Sequence, residues 1–295
     1  MVGCGCFQVR PYARSFSVPV FSVENMVFVW YTVTNILGLQ FAGQRVHPLR
    51  GTGPTDRETC MEKHRRVMLK LSGEALAGDK HSGFDEETVR NVAKEVRSAY
   101  EEGVEIAVVI GGGNFWRGRS SKAFDRVKAD QIGMLATVMN CIYVSEIFRG
   151  EGMKTKLFGA FEIPGILPVF EKDAVMEALS GGNVVFFAGG TGHPYFSTDS
   201  GIALRAIEIE ADSILLAKAV DGVYDSDPAK NPAARKFDRL SISEVVERKL
   251  QVIDLTASIL CMENHMPLAV FSLNEPGSIT DALNGRINGT VITAD

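Results

Sequence analysis

The 295-residue chain has no G-x-x-x-x-G-K-[ST] loop, no G-x-G-x-x-G turn after its first strand-like run and no protein-kinase catalytic loop. These absences exclude the commonest P-loop, dinucleotide-binding and protein-kinase routes to phosphate chemistry. Cysteine is sparse and scattered: Cys4 and Cys6 are close, while Cys60, Cys141 and Cys261 stand alone. No second pair completes a zinc site, and no disulfide framework is visible, so a reducing cytoplasm is the expected location. There is no excess of positive charge. A formal net charge of -5 argues against a general nucleic-acid or membrane-surface binder. The amino-terminal apolar stretch MVFVWYTVTNILGLQFA, from Met26, is interrupted by Asn35 and two threonines. It falls short of the about 20 apolar residues that a membrane helix needs. Internal repeats and low-complexity tracts are also absent. What is present is an ordinary folded composition, 45% hydrophobic and 23% charged, enough for one large α/β domain or two smaller ones.

The first sixty residues differ from the rest. They show neither helical nor strand periodicity, and their acids are only Glu24, Asp56 and Glu58. Arg10 and Arg14 lie far upstream of the apolar stretch, unlike the basic start of a cleaved signal, whereas a basic, acid-poor segment suits a transit peptide. LRGTGPTDRETC reads as a disordered linker. Met61, followed by basic residues and an apolar run, has the character of a natural start. The expected organisation is an extension over 1–60, disordered or not native and unneeded for activity, and a single domain over 61–295.

From Met61 onward, short β-branched runs alternate with segments of helical period. VMLKL, EIAVVI, KTKLF, NVVFFA, DSILLA, PLAVF and TVITA read as buried strands. DEETVRNVAKEVRSAYEEG places Val89, Val92, Ala93, Val96 and Tyr100 on one helical face, with Asp85 as N-cap and Gly103 past the end. ADQIGMLATVMNCIYVSEIF is a long apolar helix, and DAVMEALSGG, SGIALRAIEIEA, SISEVVERKL, TASILCMENH and SITDALNG are further helices. The alternation predicts an α/β fold, with a largely parallel central sheet and helices on both faces.

Ligands of such sheets bind beyond the carboxyl ends of the strands. LSGE, IGGGN and AGGTG each follow an apolar strand directly. A single glycine loop is equally well a tight turn. Three on one sheet edge point to backbone approaching several phosphates. Lys70, Arg117 and Lys218 stand beside these loops, and Asp130, Asp199, Asp221, Asp225, Asp227 and Asp254 supply carboxylates. Positive charge, backbone donors and carboxylates for Mg²⁺ or ribose are the parts phosphoryl transfer requires. Each has a plain alternative. Lys70 could be a solvated cation, Asp199 a helix N-cap, and DGVYDSDPAKNP a polar turn. His64, His81 and His265 are expected at the surface or at caps. Together these alternatives require a coincidence at one edge.

The blocks VMLKLSGEAL, VVIGGGNFWRG, ADQIGMLATVMN, AGGTGHPYFSTDS, AIEIEAD, AVDGVYDSDPAKNP and VIDL occur in this order. In these residues the chain, from about Arg66 to its end, resembles the bacterial uridylate (UMP) kinases of the amino acid kinase family. The resemblance implies the three-layer amino acid kinase fold and transfer of the ATP γ-phosphoryl group to UMP with Mg²⁺. It also implies a cytoplasmic homohexamer activated by GTP and inhibited by UTP. By motif, Lys70, Leu71, Ser72 and Gly73 would contact ATP phosphates, joined by Gly113, Arg117 and Lys218, with Tyr224 and Asp227 on the adenine nucleotide. Gly112 and Asp130 would meet UMP. The run Thr191, Gly192, His193, Pro194, Tyr195, Phe196, Ser197 and Thr198 would wrap its base and phosphate. Lys70 and Arg117 would be catalytic, and Asp199 and Asp254 would align lysines or Mg²⁺.

Two positions depart from the pattern. His193 stands where the family often has Asn, with a modest effect expected on UMP affinity. Lys218 stands where some members have Thr. Two other readings share the fold: a family member that phosphorylates a carboxylate or carbamate, and a non-catalytic nucleotide- or oxyanion-binding protein. The acceptor-side blocks ADQIGMLATVMN and GTGHPYFSTDS disfavour the first, and Lys70, Arg117 and Asp254 disfavour the second.

Overall fold

The computed structural model describes residues 59–61, 64–80, 82–116, 125–250 and 252–294. The expectations for residues 1–58, for His81 and for Arg117 lie outside the described residues. In chain order the elements are β1 (Thr59–Cys60), β2 (Arg66–Leu71), α1 (Gly73–Leu76), α2 (Glu86–Glu101), β3 (Glu105–Ile110), α3 (Arg126–Gly150), β4 (Lys154–Gly159), α4 (Lys172–Ser180), β5 (Asn183–Ala188), α5 (Thr198–Glu208) and β6 (Ser213–Lys218). There follow β7 (Val223–Tyr224), β8 (Lys236–Phe237), β9 (Arg239–Ser241), α6 (Ile242–Glu247), α7 (Leu255–Glu263), β10 (Leu268–Ser272), α8 (Ser278–Leu283), β11 (Arg286–Ile287) and β12 (Gly289–Thr293).

The central sheet has eight strands in the order β4-β5-β3-β2-β6-β10-β12-β9. The first six are parallel. β12 runs antiparallel to β10, and β9 is parallel to β12. Each strand predicted from its apolar run is present; β9 is additional, because its sequence RLS offers one buried side chain, Leu240, and no apolar run. β1 pairs with β11, and the Met61 N–H donates to the Gly285 carbonyl.

Strand alternation divides the core in two. In β2, Val67, Leu69 and Leu71 point to one face of the sheet, where they join Leu76 of α1, the apolar faces of α2 and α3, and Ile279 and Leu283 of α8. Met68 points to the other face and joins Leu179 of α4, Ile202 of α5, Val245 of α6 and Cys261 of α7. Helix α2 forms as its pattern demands. Asp85 caps it by accepting the Thr88 N–H, and Val89, Val92, Ala93 and Val96 are buried. The glycine loop LSGE passes at once into the short helix α1, which no helical period in the sequence announces, capped by the Ser72 side chain. His64, expected at the surface, is buried between strands and shares a hydrogen bond with Ser213. Burial holds its pKa below the ordinary value, partly offset by Asp212.

Helix α3 is unusual. Val138, Cys141, Val144 and Phe148 pack into the core, but so do the polar Thr137, Asn140 and Ser145. Its other side exposes Ile132, Leu135, Met139 and Ile142. It is also long and apolar enough to cross a membrane by length and composition, a test that a core helix passes too.

Candidate active site

Four adjacent strands, β5, β3, β2 and β6, end at the same sheet edge, and each hands the chain to a loop of the site. β2 leads to Ser72 and Gly73, β3 to Gly111–Gly113, β5 to Gly189 and Gly190, and β6 ends on Lys218. Two adjoining cavities open above them. The first, about 450 Å³, lies toward α3 and is lined by Asp130, Gly133 and Thr137 of that helix, by Trp116, and by most of the residues between Gly189 and Asp199. The second, about 390 Å³, lies toward β6 and is lined by Ser72, Gly73, Gly111 and the run Ala217–Val220. Lys70, Glu74, Gly112, Gly113 and Thr198 line both.

Close packing accounts for Gly112, where a Cβ would stand 2.9 Å from the Gly133 carbonyl of α3; a Cβ on Gly113 would stand 2.5 Å from the Glu74 carboxylate, the end of a movable side chain, and one on Gly111 would meet nothing nearer than 3.9 Å. None of the three glycines has positive φ. Gly112 and Gly113 each border both cavities.

Lys70 is largely buried near the end of β2, and its ammonium is paired with Asp199. Asp199 is in the first turn of α5. The N-cap is Ser197, whose hydroxyl accepts the Asp199 N–H at 3.0 Å. Ser197 also donates to Asp254, and the Ser200 hydroxyl lies 3.0 Å from the same carboxylate. Asp254 itself caps α7, accepting the Ala257 N–H at 2.8 Å, and lines neither cavity. It therefore ties α7 to the start of α5 through Ser197 and Ser200. Lys218 donates to the Val252 carbonyl, which holds the segment before α7 against β6. Burial, reinforced by the Lys70 charge and opposed by Asp199, brings its pKa down to about 8.

On the α3 side, Asp130 accepts the Tyr195 N–H at 2.8 Å and an Arg126 hydrogen bond at 2.7 Å. The Arg126 guanidinium lies over the Tyr195 ring, 5.5 Å from its centre. Tyr195 has φ 72, a left-handed conformation that a bulky residue adopts only when held. Of the predicted acceptor run, Thr191, His193, Phe196, Ser197 and Thr198 line the first cavity, whereas Gly192, Pro194 and Tyr195 do not. Leu71 is fully buried in the core, and only its backbone faces the loops: its carbonyl accepts the Gly111 N–H. Tyr224 and Asp227 line neither cavity. Tyr224 donates to Asp221 and Asp227 pairs with Lys230. Glu74, which borders both cavities, was missed because SGEAL reads as a turn with no assigned role.

The fold and site define a class: a parallel α/β domain whose glycine loops and lysines frame two adjoining anion-sized cavities at one sheet edge. The chain belongs to the amino acid kinase family, whose model matches residues 65–272. The structure is similar to that of a UMP kinase from Bacillus anthracis, at 34% identity, TM-score 0.76, covering 79% of this chain and 98% of that one. It is similar to a UMP kinase from Ureaplasma parvum, at 33% identity and TM-score 0.74, covering 79% and 100%. A uridylate kinase from Archaeoglobus fulgidus matches at 30% identity and TM-score 0.59, covering 77% and 99%.

Proposed function

We propose that the protein is a nucleoside monophosphate kinase that transfers the γ-phosphoryl group of ATP to UMP, giving UDP and ADP. The observation that carries this reading is the pair of cavities meeting over Lys70, Gly112 and Gly113, which suits two phosphate chains approaching one another. The names of the similar structures support UMP as acceptor. The cavity toward α3 takes UMP, with Asp130 on the ribose and the Thr191–Thr198 run around base and phosphate. The cavity toward β6 takes the ATP phosphates against Lys70, Ser72, Gly73, Gly113 and Lys218. Tyr224 and Asp227, beyond Val220 in sequence, hold the adenine nucleotide. Arg117 adds a third cation.

A UMP phosphate oxygen is already nucleophilic near neutral pH, so the protein needs no strong general base. Its contribution is alignment and charge neutralisation, and positioning alone can supply roughly 7–11 kcal/mol. Lys70 offsets charge that builds on the equatorial oxygens. Asp199 holds the Lys70 ammonium at the junction of the cavities.

Among the described residues there is no cluster of three or more metal-ligating side chains. That fits Mg²⁺, which takes one or two carboxylates and keeps phosphate and water as its other ligands. Glu74 and Asp199, which line the cavities, are the carboxylates that would hold it; bound Mg²⁺ neutralises phosphate charge. Self-association, as in the homohexamer expected for this family, is supported by the exposed apolar stripe of α3, Ile132, Leu135, Met139 and Ile142. Regulation by GTP and UTP and a cytoplasmic location complete the reading.

The test is an ADP-release assay with UMP, CMP, aspartate and carbamate in parallel. Release with UMP well above the others is expected. Release with aspartate or carbamate alone would overturn the acceptor, and no release with any would overturn the enzyme.

A further inference from the structure

Two asparagines outside both cavities hold the glycine triplet in place. Asn114 follows the triplet directly, and Asn140 lies on the inner face of α3; both are buried, at 2% and 0% exposure. Their amides face one another. Asn114 Nδ2 donates to Asn140 Oδ1 at 3.0 Å, and Asn140 Nδ2 donates to Asn114 Oδ1 at 2.8 Å. Each amide has a second N–H. That of Asn140 goes to the Gly111 carbonyl at 2.7 Å, and that of Asn114 goes to the Gly83 carbonyl at 2.8 Å. An Asn side chain offers two donor hydrogens. All four are used here, and turning either amide over would set its oxygen against a carbonyl oxygen.

The clasp also touches the first glycine loop. A Cβ on Gly73 would overlap the Gly111 carbonyl, stand 2.7 Å from Asn114 Oδ1 and lie 3.1 Å from Asn140 Nδ2. The start of α1, the triplet and the clasp therefore pack with no room between them. One turn earlier on the same face of α3, the Thr137 hydroxyl accepts the Gly189 N–H at 2.8 Å. Further along, Asp130 accepts the Tyr195 N–H. One helix thus holds the triplet and the Gly189 loop by polar side chains three residues apart.

An Asn pair buried to this extent is costly unless every polar atom is paired, and fully paired it fixes a single geometry. Leu or Val at 140 would suit the surrounding core if only packing mattered. We propose that Asn114 and Asn140 act as one unit, as positioning residues for phosphoryl transfer. They set the Gly111–Gly113 backbone against the junction of the two cavities without touching either substrate. This inference rests on the phosphoryl-transfer reading.

The test compares Asn114→Ala, Asn140→Ala and the double variant, with Asn114→Ser and Asn140→Ser as milder substitutions should an alanine variant fail to fold. Full-length protein is used. kcat and KM are measured for ATP and UMP, and amide hydrogen exchange is followed over residues 111–116. A tenfold or larger loss of kcat is expected in each single variant, with both KM values within about threefold of wild type and exchange of 111–116 accelerated. The double variant should be no worse than the poorer single one, because residues that act as a unit are not additive. The proposal is overturned if the losses multiply, if KM alone changes, or if 111–116 exchanges at the wild-type rate in folded variants. If wild-type protein phosphorylates no UMP, the substrate reading fails, and unchanged exchange of 111–116 still decides against the clasp.

Discussion

The two cavities share a floor but are built from different materials. The one toward α3 is walled by side chains that can recognise shape and hydrogen-bonding pattern: Asp130, Trp116, His193 and Phe196. The one toward β6 is walled by glycine backbone, by two lysines, Lys70 and Lys218, and by the small or acidic side chains of Ser72, Glu74 and Thr198, with no aromatic ring. On the proposed reading, recognition of UMP falls to the first side and charge handling on the ATP phosphates to the second, with Lys70 bordering both.

Four measurements press on that contrast. The largest effect should come from the shared residue: Lys70→Ala should lower kcat roughly 10²–10³-fold, the scale of losing one charge-stabilising donor, with an unchanged thermal midpoint. Near-normal turnover would remove Lys70 from the mechanism. Next, Asp130→Asn should raise the UMP KM about ten- to hundredfold, as the loss of a hydrogen bond to a charged group costs about 1.5–3 kcal/mol. Should the ATP KM rise instead, the two cavities have been assigned the wrong way round.

A smaller effect is expected from pH. Lys218 is cationic below about pH 8 and loses its proton as pH rises through that value. ATP KM should therefore climb a few-fold above pH 8 while UMP KM stays level, and Lys218→Met should flatten the profile. An inflection that survives in Lys218→Met belongs to another group. The smallest effect on activity should come from Val96→Ala in α2, which faces only the core. Two lost carbons at roughly 0.8 kcal/mol each, with a cavity term, cost about 2 kcal/mol of stability. Its melting temperature should fall by several degrees, with kcat and both KM values intact. A changed kcat would mean that α2 communicates with the site.

Much of this was legible in the sequence because it rests on periodicity and local chemistry. EIAVVI and NVVFFA are strands because β-branched and aromatic residues are buried on both faces of a parallel sheet. Asp85 caps α2 because its side chain reaches the N–H of Thr88, the third residue of the helix. The glycine loops could be placed at one edge because each followed a strand. Partnership across long sequence separations was not legible. Nothing around Asn140 announces that it bonds Gly111, 29 positions away. Asp254 looks like a free carboxylate in VIDL, yet it is spent on Ser197, Ser200 and the cap of α7. His64 sits in a basic run and still ends up buried, because the strand that follows it is central in the sheet. The reason for the triplet was only half visible. Anion approach was expected, whereas the steric limits come from Gly133 and Glu74, which only the fold brings near.

Helix α3 behaves as a ruler. Its graduations, Asp130, Thr137 and Asn140, are separated by a fixed rise of about 1.5 Å and turn of about 100° per residue; the segment between β5 and α5 hangs on the first two and the glycine triplet on the third. Loops of this kind can lengthen or shorten and still return to their mark. The ruler cannot. Deleting one residue between Asp130 and Asn140 would turn every later mark about 100° away from its loop. Descent with altered substrates should then be recorded as insertions in the loops, while the length of this one helix stays fixed.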